Sequence, residues 1–262
     1  VKIDLTTPGL KITSFPSSES DFKKEKGNLT PLFTGKRTAS FAKQNGTTVA
    51  INTSPFAGKD GQWNTIAKLT RTRRIIGTHI VAGKELAAPV SSYAALVLKK
   101  PVEQNAENSS DADVPNDAQS AGSSASGWTA EVVDSQTPET LAGADYAFGG
   151  FFTVLRDGER KTFSWTSEDS RSGAGVSKDG KTLYLLIVEG ENSFQSRGLS
   201  FPECAAVFAA MNADDALEFD GGGSSCLCIN GKSVMSYPVL RTNAASAGFI
   251  FPKRPVFIDD KP

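Results

Sequence analysis

Apolar positions along the chain recur mainly with a period of two, in short runs separated by turn residues, which predicts strands more often than helices. Val1-Lys-Ile-Asp-Leu5 alternates and reads as a strand, and Leu10 to Phe15 as a second. Ser17 to Thr34 is polar and turn-rich. Thr38 to Gln44 reads as a short helix stopped by Asn45-Gly46, residues that tolerate the left-handed conformation at a helix end. Thr48-Val-Ala-Ile-Asn52 is a buried-looking strand that stops on a polar amide before the loop Thr53-Ser-Pro-Phe56. That amide is a candidate site edge, and an Asx-turn closing the strand accounts for it equally well.

Lys68, Arg71, Arg73 and Arg74 form a charge run ahead of Ile75-Ile76. Such a run usually marks a solvated sheet edge. The lone His79 follows and reads as a satisfied strand residue. Tyr93 to Leu98 and Trp128 to Val133 are further strands, and they flank a segment at 102–127 that is rich in Ser, Ala, Asn and carboxylates and has no Lys or Arg. That composition cannot bury enough apolar surface to offset its ordering entropy, so a flexible acidic insertion is expected there.

The second half is more regular. Phe151 to Leu155 and Arg160 to Trp165 flank Asp157-Gly158 as a hairpin. Asp179-Gly180 separates Gly173-Ala-Gly-Val176 from the wholly apolar strand Leu183 to Val188. Ser200-Phe-Pro-Glu203 is a capping box with Pro in the first turn, and Cys204, Val207, Phe208 and Met211 follow at helical spacing. Ala216 to Asp220 is the next strand. Strand, helix and strand then form a crossover that should leave the two strands parallel. Ser225 to Ile229 and Lys232 to Tyr237 form a hairpin about Asn230-Gly231, and Gly248 to Phe251 closes the sheet. The expected fold is α+β, or mixed α/β: a single domain over 1–262 with a twisted mixed β-sheet core and flanking helices.

Glu189 and Asp220 both leave the C-terminal ends of the crossover strands, the edge at which open α/β sheets bind ligands. Asp220 runs into Gly221-Gly222-Gly223-Ser224-Ser225. Three successive glycines suit a turn through positive φ or a close approach to the backbone. Consecutive N–H groups in such a turn form a nest for anionic oxygens, to which Ser224 and Ser225 add hydroxyls. An Asp-capped tight turn is the bland alternative. Arg171, between a Ser and a run of small residues, can reach inward with a planar fork that suits phosphate or carboxylate; pairing with a structural Asp is its alternative.

Composition then narrows the partners. With 262 residues, 39% of them apolar, the chain can bury a full core. A net charge of −1 supplies no global basic field for nucleic acid. No apolar run reaches the length of a membrane span. No signal peptide is visible at the start of the chain given. Cys204, Cys226 and Cys228 have no metal-ligand spacing and read as small buried hydrophobes, with one disulfide to Cys204 left open. No cofactor or metal is expected.

Four stretches, Arg171-Ser-Gly-Ala-Gly-Val-Ser-Lys-Asp-Gly180, Leu185-Leu-Ile-Val-Glu-Gly190, Ser196-Arg-Gly-Leu-Ser-Phe-Pro-Glu203 and Leu217-Glu-Phe-Asp-Gly-Gly-Gly-Ser-Ser225, follow one another in an order that resembles the phosphodiester glycosidase family. That family includes the lysosomal mannose 6-phosphate uncovering enzyme. Ala50-Ile-Asn-Thr-Ser-Pro-Phe56 is similar to the family's Ala-Ile-Asn-Gly-Gly-Phe-Phe, with Thr53 and Ser54 in place of the two glycines. The likeness covers most of the chain outside the acidic insertion. It implies cleavage of a sugar, such as N-acetylglucosamine, from a sugar-1-phosphodiester, and an exported protein of the periplasm, cell surface or medium.

The resemblance implies Asp220, Glu189 and Arg171 as catalytic residues. It implies Asn52, Arg197, Glu218, Gly221 to Gly223, Ser224, Ser225, Arg241 and Asn243 as substrate contacts, with Ser246 as an alternative to Asn243. Glu189 stands where the family usually has Asp, and Glu218 where it often has Asn. Glu218 alternates onto the face of Asp220, where like charge would raise one of the two pKa values. Carboxyl separations of about 5.5 Å or about 6.5–9.5 Å would favour retention or inversion. Two other classes compete. One is a non-catalytic module for anionic or phosphate-containing glycans; the other is a metal-dependent attack at phosphorus, which the single His and the lack of a His/Asp cluster argue against.

Overall fold

The computed structural model describes residues 1–59, 71–100, 127–190, 194–236 and 245–252. The expected acidic insertion falls almost wholly outside them, as do Arg241 and Asn243. Four sheets carry most of the described chain, and two α-helices, α1 (Thr38–Asn45) and α2 (Phe201–Ala210), lie on their outer faces. The period-two pattern thus becomes strand as expected. The helical share is smaller than the mixed α/β expectation implied.

One sheet has six strands, in the order Lys2–Asp4, Thr182–Val188, Arg171–Val176, Asp215–Glu218, Thr153–Arg156 and Glu159–Arg160. A five-stranded sheet is built on Val49–Asn52, with Ser246–Ile250 and then Lys11–Phe15 on one side and Leu227–Ile229 and then Lys232–Ser233 on the other. The third contains Ala95–Lys99 between Thr129–Val133 and Tyr146–Gly149, followed by His79–Val81 and Lys84–Ala87. Every described ladder is antiparallel. This corrects the expected mixed sheet. Thr182–Val188 and Asp215–Glu218 do run the same way, but Arg171–Val176 lies between them and pairs antiparallel with each. Because alternate strands enter and leave at one edge, the residues near 171, 188 and 220 still meet there.

The three sheets share one core. Leu183, Leu185, Leu217 and Phe219 of the first meet Ile51, Phe249, Leu96 and Phe148 of the other two. On its opposite face the six-stranded sheet carries Tyr184 and Ala216 against Ala205 and Phe208 of α2. That alternation sends Leu217 and Phe219 to the common core and leaves Ala216 and Glu218 facing the helix. The capping of α2 is as its sequence predicts: the Glu203 carboxylate accepts from the Ser200 amide at 2.8 Å and from its hydroxyl at 2.6 Å.

Three expectations change. The polar stretch Ser17 to Thr34 forms a strand pair, Phe22–Glu25 with Asn28–Thr34, in which only Phe22 of the first strand is buried. A strand with one apolar side chain leaves little periodic signal. Ser246–Ile250 does not close its sheet but lies inside it, between Val49–Asn52 and Lys11–Phe15. Arg73, in the run read as a solvated edge, is 2% exposed, with its guanidinium over the Phe56 ring and Nη1 donating to the Thr72 carbonyl at 3.0 Å. The cysteines behave as predicted: all three are buried thiols and no disulfide reaches Cys204.

The seat of Phe208 explains two of the small residues in Arg171–Val176. A Cβ at Gly175 would stand 2.7 Å from Phe208 Cδ1 and 3.0 Å from Ala213 Cβ. Gly175→Ala is therefore expected to destabilise the fold by about 1–3 kcal/mol through overpacking. The loss should be smaller in a Phe208→Leu background, because the two sites are in contact and will not add. Chemical denaturation of the four proteins of that cycle is the check, and strict additivity would contradict the packing.

Candidate functional site

Three strand ends of the six-stranded sheet converge with the end of Val49–Asn52 from its neighbour. Asn52 makes the junction. Its side chain is 2% exposed: Nδ2 donates to the Asp220 carbonyl at 2.7 Å, and Oδ1 accepts from Ser172 Oγ at 2.7 Å and from the Cys226 amide at 2.9 Å. The Asp220 amide completes the tie by donating to the Thr53 carbonyl at 3.0 Å. Asn52, expected as a substrate contact, holds the loop that carries Asp220. Thr53, Ser54 and Ser225 are buried beside it, with hydroxyls that meet no protein partner among the described residues.

The loop after Asp220 is tighter than a three-glycine nest. Of the three glycines only Gly222 has positive φ, at 54°. Gly221 is required for space, since a Cβ there would lie 2.9 Å from the Ser170 carbonyl. Gly222 donates its amide to Ser170 O at 2.8 Å, Ser224 to Gly221 O at 3.1 Å and Ser225 to Gly222 O at 3.0 Å. The turn consumes those amides. Only the amides of Gly221 and Gly223 make no such bond to a described residue, so the expected row of donors is reduced to those two.

Asp220 is half-buried at the head of this turn, and loss of solvent lifts its pKa to about 7, partly offset by a hydrogen bond from Ser224. Glu218 is 1% exposed, and among the described residues only the weak Cys204 thiol approaches its carboxyl as a hydrogen-bond donor. Burial lifts its pKa to about 8, against the lowering pull of the adjacent Cys204 thiol and the Arg171 charge. The expected repulsion between Asp220 and Glu218 is not what shifts them. Glu218 faces α2 from within the sheet, Asp220 stands beyond the strand end, and desolvation accounts for both shifts.

Arg171 is 5% exposed and stands behind the loop rather than in it. Nε donates to Leu199 O at 2.9 Å, Nη2 donates to Ser167 O at 2.7 Å, and the guanidinium lies 4.0 Å over the Phe201 ring. Nη1 points toward Gly221, 4.0 Å from where a Cβ would stand. Glu189 is half-buried at the adjacent strand end. Ser236 donates to its carboxylate, and its carbonyl accepts from Ser196 Oγ at 2.5 Å. Arg197 is exposed at the rim and paired with Glu168 at 2.7 Å.

Asp169 is a third carboxylate at this edge, and sequence reasoning passed over it. Its Oδ1 accepts from the Ser170 amide at 2.7 Å, while Oδ2 lies 3.6 Å from the Cβ position of Gly222. The backbone at Gly198, where φ is +87° and a Cβ would stand 2.0 Å from Asp169 O, closes onto it. The signal was position alone: Asp169 stands two residues before Arg171, at the entry of a strand whose neighbours leave at Glu189 and Asp220.

A family model described as phosphodiester glycosidase matches residues 45–256. The chain belongs to that family. Known structures agree on the fold at 16% identity. The catalytic domain of zebrafish N-acetylglucosamine-1-phosphodiester alpha-N-acetylglucosaminidase, auto-inhibited by its pro-peptide, matches with a TM-score of 0.57 over 95% of this chain and 87% of its own. A hypothetical protein from Synechocystis matches at 0.59 over the same share, and this chain spans 58% of it. A Burkholderia pseudomallei protein described as a candidate exported protein matches at 0.61, over 95% of this chain and 72% of its own. No curated protein sequence matches the chain. No helix among the described residues is long and apolar enough to cross a membrane.

His79 is buried, with Nε2 against the Pro16 carbonyl at 2.8 Å and a pKa that burial lowers to about 4. One group of acids among the described residues, Asp157, Asp214 and Asp215, could gather a cation, although none was expected from sequence. It lies at the end of Asp215–Glu218 away from Asp220, and Arg156 pairs with Asp215 at 2.8 Å.

The two lifted carboxyls predict how stability responds to pH. Folded Glu218 holds its proton up to about 8 and Asp220 up to about 7, whereas the unfolded chain releases both near their ordinary values of 4.5 and 3.8. Across that interval the unfolded state binds fewer protons, so stability falls as pH rises. Thermal melts between pH 5 and pH 8 should show that decline, and Glu218→Gln should remove roughly half of it, the rest belonging to Asp220. Near pH 5 the two proteins should melt within about 4 °C, which corresponds to about 1–2 kcal/mol for a chain of this size. An unchanged slope in Glu218→Gln would contradict the burial of a protonated Glu218.

Proposed function

We propose that the chain is a hydrolase that cleaves a sugar-1-phosphodiester at the anomeric C–O bond, releasing the sugar and a phosphomonoester. The observation that carries this reading is Asp220, held by its own backbone between Asn52 and Thr53 at the mouth of a Gly-rich loop, with a pKa lifted to about 7. Family membership supplies the reaction class.

A phosphate leaving group is already a weak base, so departure needs charge stabilisation more than a proton. The unspent amides of Gly221 and Gly223, with the Arg171 charge behind them, provide positive potential there. The developing oxocarbenium needs a carboxylate, as nucleophile or as base for water. Asp220 has that role, active in its ionised form. Asp169 enters the strand beside it, and Glu189 leaves the strand beyond that one. Arg171 acts through the loop it backs rather than by gripping phosphate with its fork, because two of its nitrogens are committed to carbonyls. Work outside the cytoplasm fits a glycan phosphodiester substrate.

Sugar release from a panel of sugar-1-phosphodiesters, including N-acetylglucosamine-1-phosphodiesters, tests the reading. The wild type should turn over at least one, with kcat/KM rising through an apparent pKa near 7. Asp220→Asn should lose about a hundredfold or more, the scale on which general acid–base groups act. In isotope-labelled water the label should enter the sugar; its appearance in phosphate would mean attack at phosphorus. Equal activity of Asp220→Asn would move the chemistry to Asp169 or Glu189, and saturable binding without turnover would favour a glycan-binding module.

A further inference from the structure

A cavity of about 560 Å³ is lined among others by Phe15, Asp21, Lys36, Arg37, Arg71 and Arg73. Four cations face one carboxylate in a chain whose net charge is −1. Asp21 offsets one of these charges and leaves the wall net positive. Asp21 accepts from the Ser17 amide at 2.7 Å, from the Ser17 hydroxyl at 2.8 Å and from the Ser18 amide at 3.3 Å. Lys36, Arg37 and Arg71 form no ion pair with any described residue. Like charges that outnumber their counter-charge on a concave wall repel one another, and a bound anion relieves that cost.

The wall is built. The Lys36 ammonium sits 4.2 Å over the Phe15 ring, and the Gly35 amide donates to the Arg71 carbonyl at 2.8 Å, joining the two cation-bearing segments. Buried Arg73 sets the floor, and burial together with the charge of Arg71 lowers its pKa. The register locates the cavity relative to the candidate site. Phe15 pairs with Ser246, and Ser246 with Asn52, across three adjacent strands. Two strand spacings put the Phe15 wall about 10 Å from the residue that anchors Asp220.

We propose that this cavity is an anion subsite that holds a further phosphate of the substrate, so that the preferred substrate is a chain of repeated phosphodiesters rather than a single small diester. The word substrate rests on the glycosidase reading; the anion site itself does not. Guanidinium forks and an ammonium on one wall suit phosphate oxygens. A span of about 10 Å from Asn52 calls for a neighbouring unit of the same chain.

Calorimetric titration of Asp220→Asn protein with a hexameric oligo(glycerol phosphate), with inorganic tripolyphosphate and with neutral dextran tests this without turnover. Both phosphate probes should bind, with affinity falling as salt rises, and dextran should not. Adding Arg37→Ala and Arg71→Ala, both exposed, should weaken the phosphate probes at least about tenfold, since each charged hydrogen bond is worth roughly that factor. Arg74→Ala, which removes an exposed cation from the same strand but not from the cavity wall, should bind as the parent does. Thermal melts of each variant check that the fold is retained. Equal weakening by Arg74→Ala would reduce the effect to general charge and overturn the site, as would unchanged binding by the double variant. Tripolyphosphate binding without the hexamer would leave a free-phosphate site and overturn the polymer assignment. Site-dependent binding of the hexamer in a protein that releases no sugar would keep the subsite and reject the glycosidase reading; sugar release with no binding in the cavity would do the reverse.

Discussion

The candidate site depends on one buried amide. Asn52 accepts from Ser172 and Cys226 and donates to the Asp220 carbonyl, so it binds the edge of the six-stranded sheet to the edge of its five-stranded neighbour at the point where Asp220 emerges. Each of those partners is a polar group that would otherwise lose its hydrogen bonds on burial, at roughly 1–3 kcal/mol apiece. No apolar residue could replace that connection, and a shorter polar one would not span it. Directional hydrogen bonds here do what core packing cannot: they fix the orientation of a loop at a seam between sheets.

Around that anchor, glycine works through proximity more than through flexibility. Ser170, Gly221 and Gly222 come together because no Cβ intervenes, and Gly198 lets its backbone meet Asp169. The consequence is a crowded strand-end junction that brings Asp169, Glu189 and Asp220 to one edge. Beneath it, Glu218 and Arg171 introduce charge where the sheet meets α2. A carboxyl buried with no more than a thiol for a donor is costly in its ionised form, and burial keeps Glu218 protonated across the neutral range. Arg171, by contrast, has two carbonyls and an aromatic face to replace the water it lost.

Charge is distributed unevenly over the molecule. The site edge carries three carboxylates, the far end of Asp215–Glu218 carries the Asp157, Asp214 and Asp215 group, and the cavity beside Phe15 gathers cations. A net charge of −1 conceals this separation, because opposite patches cancel in the sum but not in space.

The sequence by itself determined most of the local elements. Alternation at Leu183 to Val188, the capping box at Ser200 and the Asp220-Gly-Gly-Gly run were legible because each is a short-range physical requirement: a buried face, unsatisfied helix amides, a backbone too crowded for a Cβ. Tertiary structure decided what those residues do. Arg171–Val176 inserts between the two crossover strands, which turned an expected parallel pair into an antiparallel sheet without moving Asp220 from its edge. Asn52 became an anchor through Ser172, Asp220 and Cys226, the Gly222 amide went to the Ser170 carbonyl, and Arg73 went inside against Phe56, all through partners distant in the chain. Asp169 gained its place from the register of strands whose pairing no local pattern encodes. Periodicity reports which face of an element is buried; what lies against that face depends on contacts between segments far apart in sequence, and those exist only once the chain has folded.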